Sequence, residues 1–287
     1  MNQQELAALR ALIASHKRWD FLFGVLGVLA LMIGVMTFLA LFAEMTLNGV
    51  GRIDLDFLTS FPSRRAANAG ILSAWVGSVL VMLVTACAAV PLGVVAGIYL
   101  EEYAPKNWFT DIIEINVTNL AAVPSIIYGM FGLFVFAPLF ADHFQVPVQK
   151  LLGSMPLIGF LFGGSTNGFG ILAAGIVLAF MVLPFVAAVM RDVFEIVPPI
   201  LRESAYGLGC TTWEVVRRVV LPYTQKGVIG GVMLGLGRAL GETMAVTFVI
   251  GNANRMPTSL FSPGTSIAST LANEFGEAAD FHLSTLF

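Results

Sequence analysis

Residues 191–222, "RDVFEIVPPILRESAYGLGCTTWEVVRRVVLP", form a charged, helix-compatible segment between two strongly apolar stretches of the chain. Pro198 and Pro199 predict the end of one helix and the start of another, because proline suits the first helical position but not a helix interior. The residues that would share one face of the new helix are Leu201, Ala205 and Leu208. The segment therefore begins with a short amphipathic helix.

A turn and a second short helix follow in the same segment. Gly207 and Gly209 allow a sharp change of direction, because glycine adopts backbone conformations that other residues avoid. Thr211 or Thr212 is placed to cap the second helix, and Leu221-Pro222 begins the next apolar stretch. The whole segment predicts a compact helix–turn–helix with a shape that suits docking into a cleft of another protein.

The composition indicates an integral membrane protein. The 287 residues are 57% hydrophobic and 11% charged, whereas soluble chains carry about 25% charged residues. A chain with so few charges lacks the polar surface that water requires. The net charge of −3 does not suggest a nucleic-acid partner. The helix–turn–helix is therefore expected at a membrane surface.

Five stretches are long and apolar enough to span a bilayer, for which about 20 residues are needed. They are 20–43, 72–100, 112–140, 168–190 and 223–251. Residues 1–19 resemble an amphipathic surface segment rather than a signal peptide. The loop 44–71 contains glycine, serine and proline, the segment 252–283 is polar, and a cytoplasmic N-terminus would make both periplasmic. The stretch "LSTLF" at 283–287 looks like the start of a sixth span. Lys and Arg are more frequent in the loops that a cytoplasmic N-terminus would place inside, above all in 191–221, which favours that orientation.

The spacing within residues 203–222 resembles the coupling loop of ABC importer permeases, which reads Glu-Ala-Ala, three residues, Gly, nine residues and Ile-x-Leu-Pro. The matching residues are Glu203, Ala205, Gly209, Leu221 and Pro222, with Ser204 and Val219 as mild departures. In that family the loop sits in a groove of a cytoplasmic ATPase. The resemblance implies an all-α, polytopic membrane protein with the type I (MetI-like) permease fold. It places the permease core at 72–287 and implies a sixth span that this sequence lacks or only begins.

Three further stretches resemble the permeases of phosphate (Pst) importers. These are 90–105, "VPLGVVAGIYLEEYAP", 120–135, "LAAVPSIIYGMFGLFV", and 237–246, "GRALGETMAV". The last resembles the PstC branch of that family. The resemblance places this chain in the bacterial inner membrane and implies four kinds of partner: a PstA-like second permease, two PstB-like ATPase subunits, a PstS-like periplasmic phosphate-binding protein and phosphate itself. No Gly-x-x-x-x-Gly-Lys-Ser/Thr motif occurs in the sequence, so ATP and Mg²⁺ are expected to belong to the ATPase rather than to this chain.

Arg238 and Glu242 stand out because they interrupt an apolar stretch near the predicted middle of the membrane. A charged residue there is costly and usually faces a cavity or the bundle interior. Their i,i+4 spacing puts both on one face of a continuous helix, where they can pair. Glycines at 227, 231 and 235 predict close packing of the same helix against a neighbour.

Two roles are open for this pair. The guanidinium of Arg238 suits phosphate oxygens, with Glu242 tempering the charge; alternatively the pair only fixes helix packing. Thr243 offers a further hydroxyl, although bonding to its own helix backbone is the simpler expectation. Further residues for lining the pathway lie around a proline in the third span: Asn119, Pro124, Ser125 and Tyr128.

The remaining features of the sequence say little about function. The acidic residues Glu101, Glu102, Asp111 and Glu114 are expected to be merely solvated at a membrane edge. No metal-binding pattern is present in the sequence. Two alternative functions stay open: import of another oxyanion, such as phosphonate or molybdate, and a stand-alone anion channel or secondary transporter. The second class needs no ATPase-docking loop and often shows internal repeats.

Overall fold

The computed structural model describes residues 3–63, 69–155, 159–276 and 286, apart from the side chains of 3–15, 18 and 52. These residues form helices and connecting loops, with no strand among them. Five helical stretches in this part of the chain are long and apolar enough to cross a membrane: Trp19–Gly49, Leu72–Tyr103, Ser125–Leu152, Ile171–Glu195 and Thr212–Leu240. The all-α, multi-pass class is confirmed, and the described part of the chain contains a membrane-length helix for each of the five predicted stretches.

The chain divides into two units, of which the first comprises residues 1–53 and 280–287. It contains α1 (Gln3–Gly49) and a short 3₁₀ turn (Val50–Arg52). The predicted surface segment 1–19 and the first span are thus parts of one helix, because no proline or glycine separates them. The amphipathic face predicted for 1–19 falls largely on side chains outside the described part. The predicted start of a sixth span, 283–287, also lies outside it except for residue 286.

The second unit, residues 54–279, contains the other helices. In chain order they are α2 (Leu55–Thr59), α3 (Leu72–Ile98), α4 (Trp108–Ala121), α5 (Ser125–Phe131), α6 (Ala137–Phe140), α7 (Val146–Leu152), α8 (Ile171–Glu195), α9 (Pro199–Gly207), α10 (Thr212–Val215), α11 (Leu221–Leu240), α12 (Met244–Ile250) and α13 (Ile267–Glu274). Single π turns extend α3 over Tyr99–Tyr103 and join α5 to α6, α6 to α7 and α10 to α11.

Helix α8 is the centre of this unit and packs against α3, α4, α11 and α12. Its sequence is apolar on nearly every face, which is the pattern of a helix surrounded by other helices. The largest of its fully buried side chains are Ile171, Leu178, Met181, Met190 and Phe194. A hydrogen bond of 3.1 Å from Thr85 Oγ1 to the Gly175 carbonyl adds a polar link between α3 and α8. Any movement of α8 is therefore shared by most of the bundle.

The predicted glycine stripe of α11 packs directly on α8. A Cβ atom at Gly235 would lie 2.6 Å from Val186 Cγ2, and one at Gly227 would lie 2.8 Å from Val193 Cγ1. No side chain fits in this space, so glycine allows the two helices to approach closely. Gly230, on another face of α11, has nothing within 4 Å of such an atom. The close packing predicted for this stripe is thus confirmed.

Two of the predicted spans are wrong in their continuity. The stretch 112–140 is not one helix: α4 ends at Ala121, and the membrane-length helix begins at Ser125 and runs on to Leu152. The stretch 223–251 breaks between α11 and α12, at residues 241–243. Hydropathy averages over a window of residues and therefore does not detect a break of three residues inside an apolar run.

Candidate functional site

The break between α4 and α5 is produced by Pro124. Proline disfavours helical geometry in the residue before it and has no N–H to continue the helix. Consequently α4 ends in a turn, with the Ala122 amide donating to the Asn119 carbonyl at 3.1 Å, and Pro124 caps the start of α5. The last carbonyl groups of α4 are left without partners in their own helix. Asn119 and Pro124 are exposed beside them, and Ser125 is half-buried.

Arg238, in the last turn of α11, supplies one of these missing partners. Its Nη2 donates a hydrogen bond of 3.1 Å to the carbonyl of Ala121. The guanidinium carbon also lies 5.2 Å from the centre of the Phe185 ring on α8. A positive charge is stabilised both by a helix C-terminus and by the face of an aromatic ring. The half-buried Arg238 therefore holds α4, α8 and α11 together at the break.

Tyr128 completes the same end of α4. Its hydroxyl donates to the Leu120 carbonyl at 3.0 Å, one residue before the carbonyl that Arg238 binds. The structure thus gathers Arg238, Tyr128, Pro124 and Asn119 around one helix break. Sequence reasoning found these residues separately. It missed Phe185, which looks like any other apolar residue of the fourth span.

Glu242 does not pair with Arg238, contrary to the expectation from their spacing. No ion pair joins them within 4.0 Å in the described part of the chain; instead, Glu242 Oε1 accepts a 3.3 Å hydrogen bond from the Ala245 amide. The i,i+4 rule holds only in a continuous helix, and α11 ends at Leu240. Glu242 therefore caps the first turn of α12 and faces a small cavity shared with Ser78 and Ser266.

The break between α11 and α12 lies near the break between α4 and α5, because the helices that follow the two breaks pack against each other. α5 lies against α12, and a Cβ atom at Gly129 would come within 3.1 Å of the Met244 carbonyl oxygen. Thr243 is half-buried immediately before α12, and its carbonyl accepts a 2.7 Å hydrogen bond from Thr247 Oγ1. Two interrupted helices, both packed on α8, thus meet near one arginine.

The helix–turn–helix forms at the far end of α8. α8 ends before Pro198, and α9 begins at Pro199, as the proline pair predicts. Gly209 turns the chain with φ +84°, a conformation that favours glycine. Thr211 provides the predicted cap: its hydroxyl accepts from the Glu214 amide, while Glu214 accepts from the Thr211 amide at 2.9 Å. The second helix, α10, is continuous with the fifth membrane-length helix, however, because a π turn joins α10 to α11.

The residues that match the coupling-loop pattern are spread over this helix–turn–helix and the start of α11. Glu203 and Gly209 are exposed, Ala205 is the buried residue of α9, and Leu221 and Pro222 begin α11. Several large apolar side chains around them are exposed: Ile196, Ile200, Tyr206, Leu208 and Trp213. Leu208 is 85% exposed, although it was predicted to share the face of Ala205. An exposed apolar patch of this kind on an ordered surface is typical of a protein-binding site. We call residues 196–213 the coupling surface.

An ion-pair cluster beneath the coupling surface was not predicted. Arg202 donates to Glu102 Oε1 from Nε at 3.0 Å and from Nη2 at 2.8 Å. Arg191 Nη2 lies 3.3 Å from Glu114 Oε2. Arg202 Nη2 also lies 3.6 Å from Glu101 Oε1, so the expectation that these acidic residues are only solvated is wrong for Glu101, Glu102 and Glu114. Their arginine partners come from helices distant in sequence, so no local pattern signals the contacts.

The fold and the site define a polytopic helical membrane protein with interrupted helices and an exposed apolar surface at one end of α8. The family model for the inner membrane component of binding-protein-dependent transport systems matches residues 89–272. The chain belongs to this family. The match contains both helix breaks and the coupling surface.

Individual relatives agree with this family. The chain is 57% identical over 211 residues to a phosphate transport system permease protein PstC of Pasteurella multocida, which covers 74% of this chain and 66% of that protein. It is 58% identical over 198 residues to a PstC of Haemophilus influenzae, covering 69% of this chain and 62% of that protein. The chain thus spans slightly less than two thirds of these relatives. A solved chain of the MetNI methionine ABC transporter, in an inward-facing conformation, is 15% identical with a TM-score of 0.49 and covers 73% of this chain and 83% of that one.

Proposed function

We propose that this chain is a transmembrane permease subunit of an ATP-driven importer of inorganic phosphate. The observation that carries the proposal is its identity of 57% and 58% to two proteins named as phosphate transport permeases. Identity at this level extends over about two hundred residues, which is more specific than a shared fold, since a fold alone does not identify a substrate. The chain forms half of a translocation pathway, and a PstA-like permease supplies the other half.

Arg238 is the residue that we propose to contact phosphate. Its guanidinium has five N–H donors in a planar fork, and within the described part of the chain one of them binds Ala121. The remaining donors point to a role beyond packing. Interrupted helices near the middle of a membrane commonly form the substrate sites of transporters. The other residues proposed to line the pathway are Glu242, Thr243, Asn119, Pro124, Ser125 and Tyr128.

The coupling surface is the proposed docking site for two PstB-like ATPase subunits. Its family residues are Glu203, Ala205 and Gly209, and Leu221 and Pro222 of the same pattern follow at the start of α11. The exposed apolar side chains of the coupling surface would be covered by the ATPase. ATP and Mg²⁺ are bound by that partner, so the chain itself is not an enzyme. When the ATPases close, the coupling surface moves and the bundle alternates between its two open states.

The proposed location is the bacterial inner membrane, with the N-terminus and the coupling surface in the cytoplasm. The coupling surface and the helix ends next to it carry basic residues: Lys106, Arg191, Arg202, Arg217, Arg218 and Lys226. Positive residues are retained on the cytoplasmic side of membrane proteins. A PstS-like protein would deliver phosphate from the periplasmic side.

Reconstitution with the three partner subunits tests the proposal. Proteoliposomes are expected to accumulate phosphate only when ATP and the binding protein are supplied, and excess phosphonate or molybdate is expected to compete poorly. Strong competition by either anion would favour an importer for another oxyanion. Uptake without ATP would favour the channel or secondary transporter.

Docking is tested separately by Leu208→Glu. We expect this change to prevent co-purification of the ATPase, because a charge at the centre of an apolar contact must be desolvated. Leu55→Glu is the matched control, since Leu55 is similarly exposed at 79% but lies on α2. Equal ATPase recovery with both variants would argue against docking at this surface.

A further inference from the structure

Helix α9, which begins the coupling surface, has little apolar attachment to the rest of the bundle. Among its nine residues, Ala205 is the buried one. Leu201 and Tyr206 are exposed. A helix held by one small buried side chain transmits little force through packing, because dispersion and apolar contacts scale with the buried area. Another link is needed to connect α9 to the membrane-spanning helices.

Arg202 of α9 makes this link. Its Nη1 donates to the Val197 carbonyl at 2.9 Å and its Nη2 donates to the Phe194 carbonyl at 2.7 Å, at the end of α8. Both Nε and Nη2 also bind Glu102, and Nη2 lies 3.6 Å from Glu101 Oε1. One side chain of α9 is therefore joined to the ends of two core helices.

The contact is shielded from solvent and geometrically defined. The Arg202 side chain is 17% exposed and the Glu102 side chain is 4% exposed. A buried, hydrogen-bonded ion pair resists separation far better than an exposed one, because separation leaves an uncompensated charge. By contrast, the exposed pair of Arg218 and Glu214 is 4.0 Å apart on a single helical stretch and links no separate elements.

The acidic side of the link lies in the π turn Tyr99–Tyr103 that ends α3. π turns are rare and are often found at functional sites, since the extra residue redirects the side chains. Here the turn directs two successive carboxylates, those of Glu101 and Glu102, toward Arg202. α8 is joined to α9 by the chain itself, but α3 is separated from α9 by 100 positions between Glu102 and Arg202. The ion pair is thus the direct polar connection from α9 to α3.

We infer that the Arg202–Glu102 pair is the joint through which movement of the coupling surface reaches α3, so that α3 and α8 move as one body with α9. Both are positioning residues: neither lies in the proposed phosphate pathway, and although Arg202 belongs to the coupling surface, its side chain is largely buried rather than presented to the ATPase. The inference rests on the proposed function, since it concerns how ATP hydrolysis is coupled to phosphate movement. Without the joint, the ATPase still docks and hydrolyses ATP, but α9 moves without drawing the packed pair of α3 and α8 with it.

The test uses the full reconstituted complex and measures phosphate transported per ATP hydrolysed. We expect this ratio to fall at least tenfold in Arg202→Gln and in Glu102→Gln, and a few-fold in Arg202→Lys, which keeps the charge but loses the fork. The double variant should fall no further than either single variant, because residues acting as a unit are not additive. A merely stabilising role would lower the amount of complex but not this ratio.

Arg191→Gln is the matched control, because it removes an equal charge from the same end of the bundle but breaks the contact between α8 and α4 instead. Its ratio is expected to stay near that of the unmodified complex. A normal ratio in the Arg202 and Glu102 variants overturns the inference, and so does an equal fall in the control. If Arg202→Gln does not assemble, Arg202→Lys and Glu102→Gln decide, and failure of all three to assemble also overturns it. Lack of ATP-driven uptake by the unmodified complex would instead refute the proposed function.

Discussion

Arg238 and Ala121 are 117 positions apart in the chain and are joined by a 3.1 Å hydrogen bond from the guanidinium to the last carbonyl of α4. This bond explains how an arginine is held inside an apolar bundle. The partial negative charge of a helix end and the face of Phe185 replace the hydration that the charge loses. The same arrangement places a donor-rich group at the meeting point of two interrupted helices.

Replacing Arg238 tests the pathway role. We expect Arg238→Ala to lower phosphate uptake by about ten- to a hundredfold, the range for losing a hydrogen bond to a charged group. Arg238→Lys should retain part of the activity, because it keeps the charge but not the planar fork. Uptake is measured in proteoliposomes with equal amounts of assembled complex.

Arg255→Ala serves as the control for charge removal, because Arg255 is exposed and lies outside the helix breaks. Normal uptake by an assembled Arg238→Ala complex would restrict Arg238 to a packing role.

Tyr128 is expected to stabilise the end of α4 at its break with α5. Tyr128→Phe removes the donor to Leu120 and should cost about 0.5–1.5 kcal/mol. Amide exchange at 120–123 should therefore quicken by up to about tenfold, as measured by mass spectrometry of the detergent-solubilised protein. Tyr223→Phe is the control, since Tyr223 is 53% exposed on α11; equal quickening in both variants would contradict the assigned role.

The glycines of α11 should differ sharply in their tolerance of alanine. Gly235→Ala is expected to destabilise the bundle by about 1–3 kcal/mol, because its Cβ would overlap the stiff, buried Val186. Gly230→Ala should instead stabilise it by up to about 1 kcal/mol, because alanine favours helices and the space is open. Thermal unfolding of the two purified variants checks this, and equal melting temperatures would refute the packing argument.

The capping box of the coupling surface can be tested with neighbouring threonines. Thr211→Ala should cost about 0.5–2 kcal/mol of local stability, because the first turn of α10 loses its cap. We expect faster amide exchange at 212–216 and weaker recovery of the ATPase. Thr212→Ala, one position along on the same helix, should change neither, and a similar loss in both variants would show that the cap is not the cause.

The membrane class and the number of spans were predictable because they depend on composition and on runs of apolar residues. The turn chemistry of the coupling surface was also predictable. Pro198, Pro199, Gly209 and Thr211 act on their immediate neighbours, and each has the local role that its residue type indicates.

The breaks in two spans were not predicted, and the error spread to the site. Because 223–251 was treated as one helix, Arg238 and Glu242 were expected to pair. α11 ends at Leu240, so the two side chains do not lie one turn apart on a single helix. The signals were present in Pro124 and Gly241. Proline and glycine are tolerated in membrane helices, however, when neighbouring groups satisfy the freed backbone, so their presence alone does not decide.

The sequence was sufficient to predict a helical membrane protein and the local shape of residues 196–213, since hydropathy and turn preferences act over a few residues. The tertiary structure alone decided which groups compensate the buried charges. Arg238 binds a carbonyl 117 positions away and Arg202 binds a carboxylate 100 positions away. Such partners are chosen by the packing of helices on α8, because a desolvated charge is stabilised by whatever polar group the fold brings within hydrogen-bonding distance.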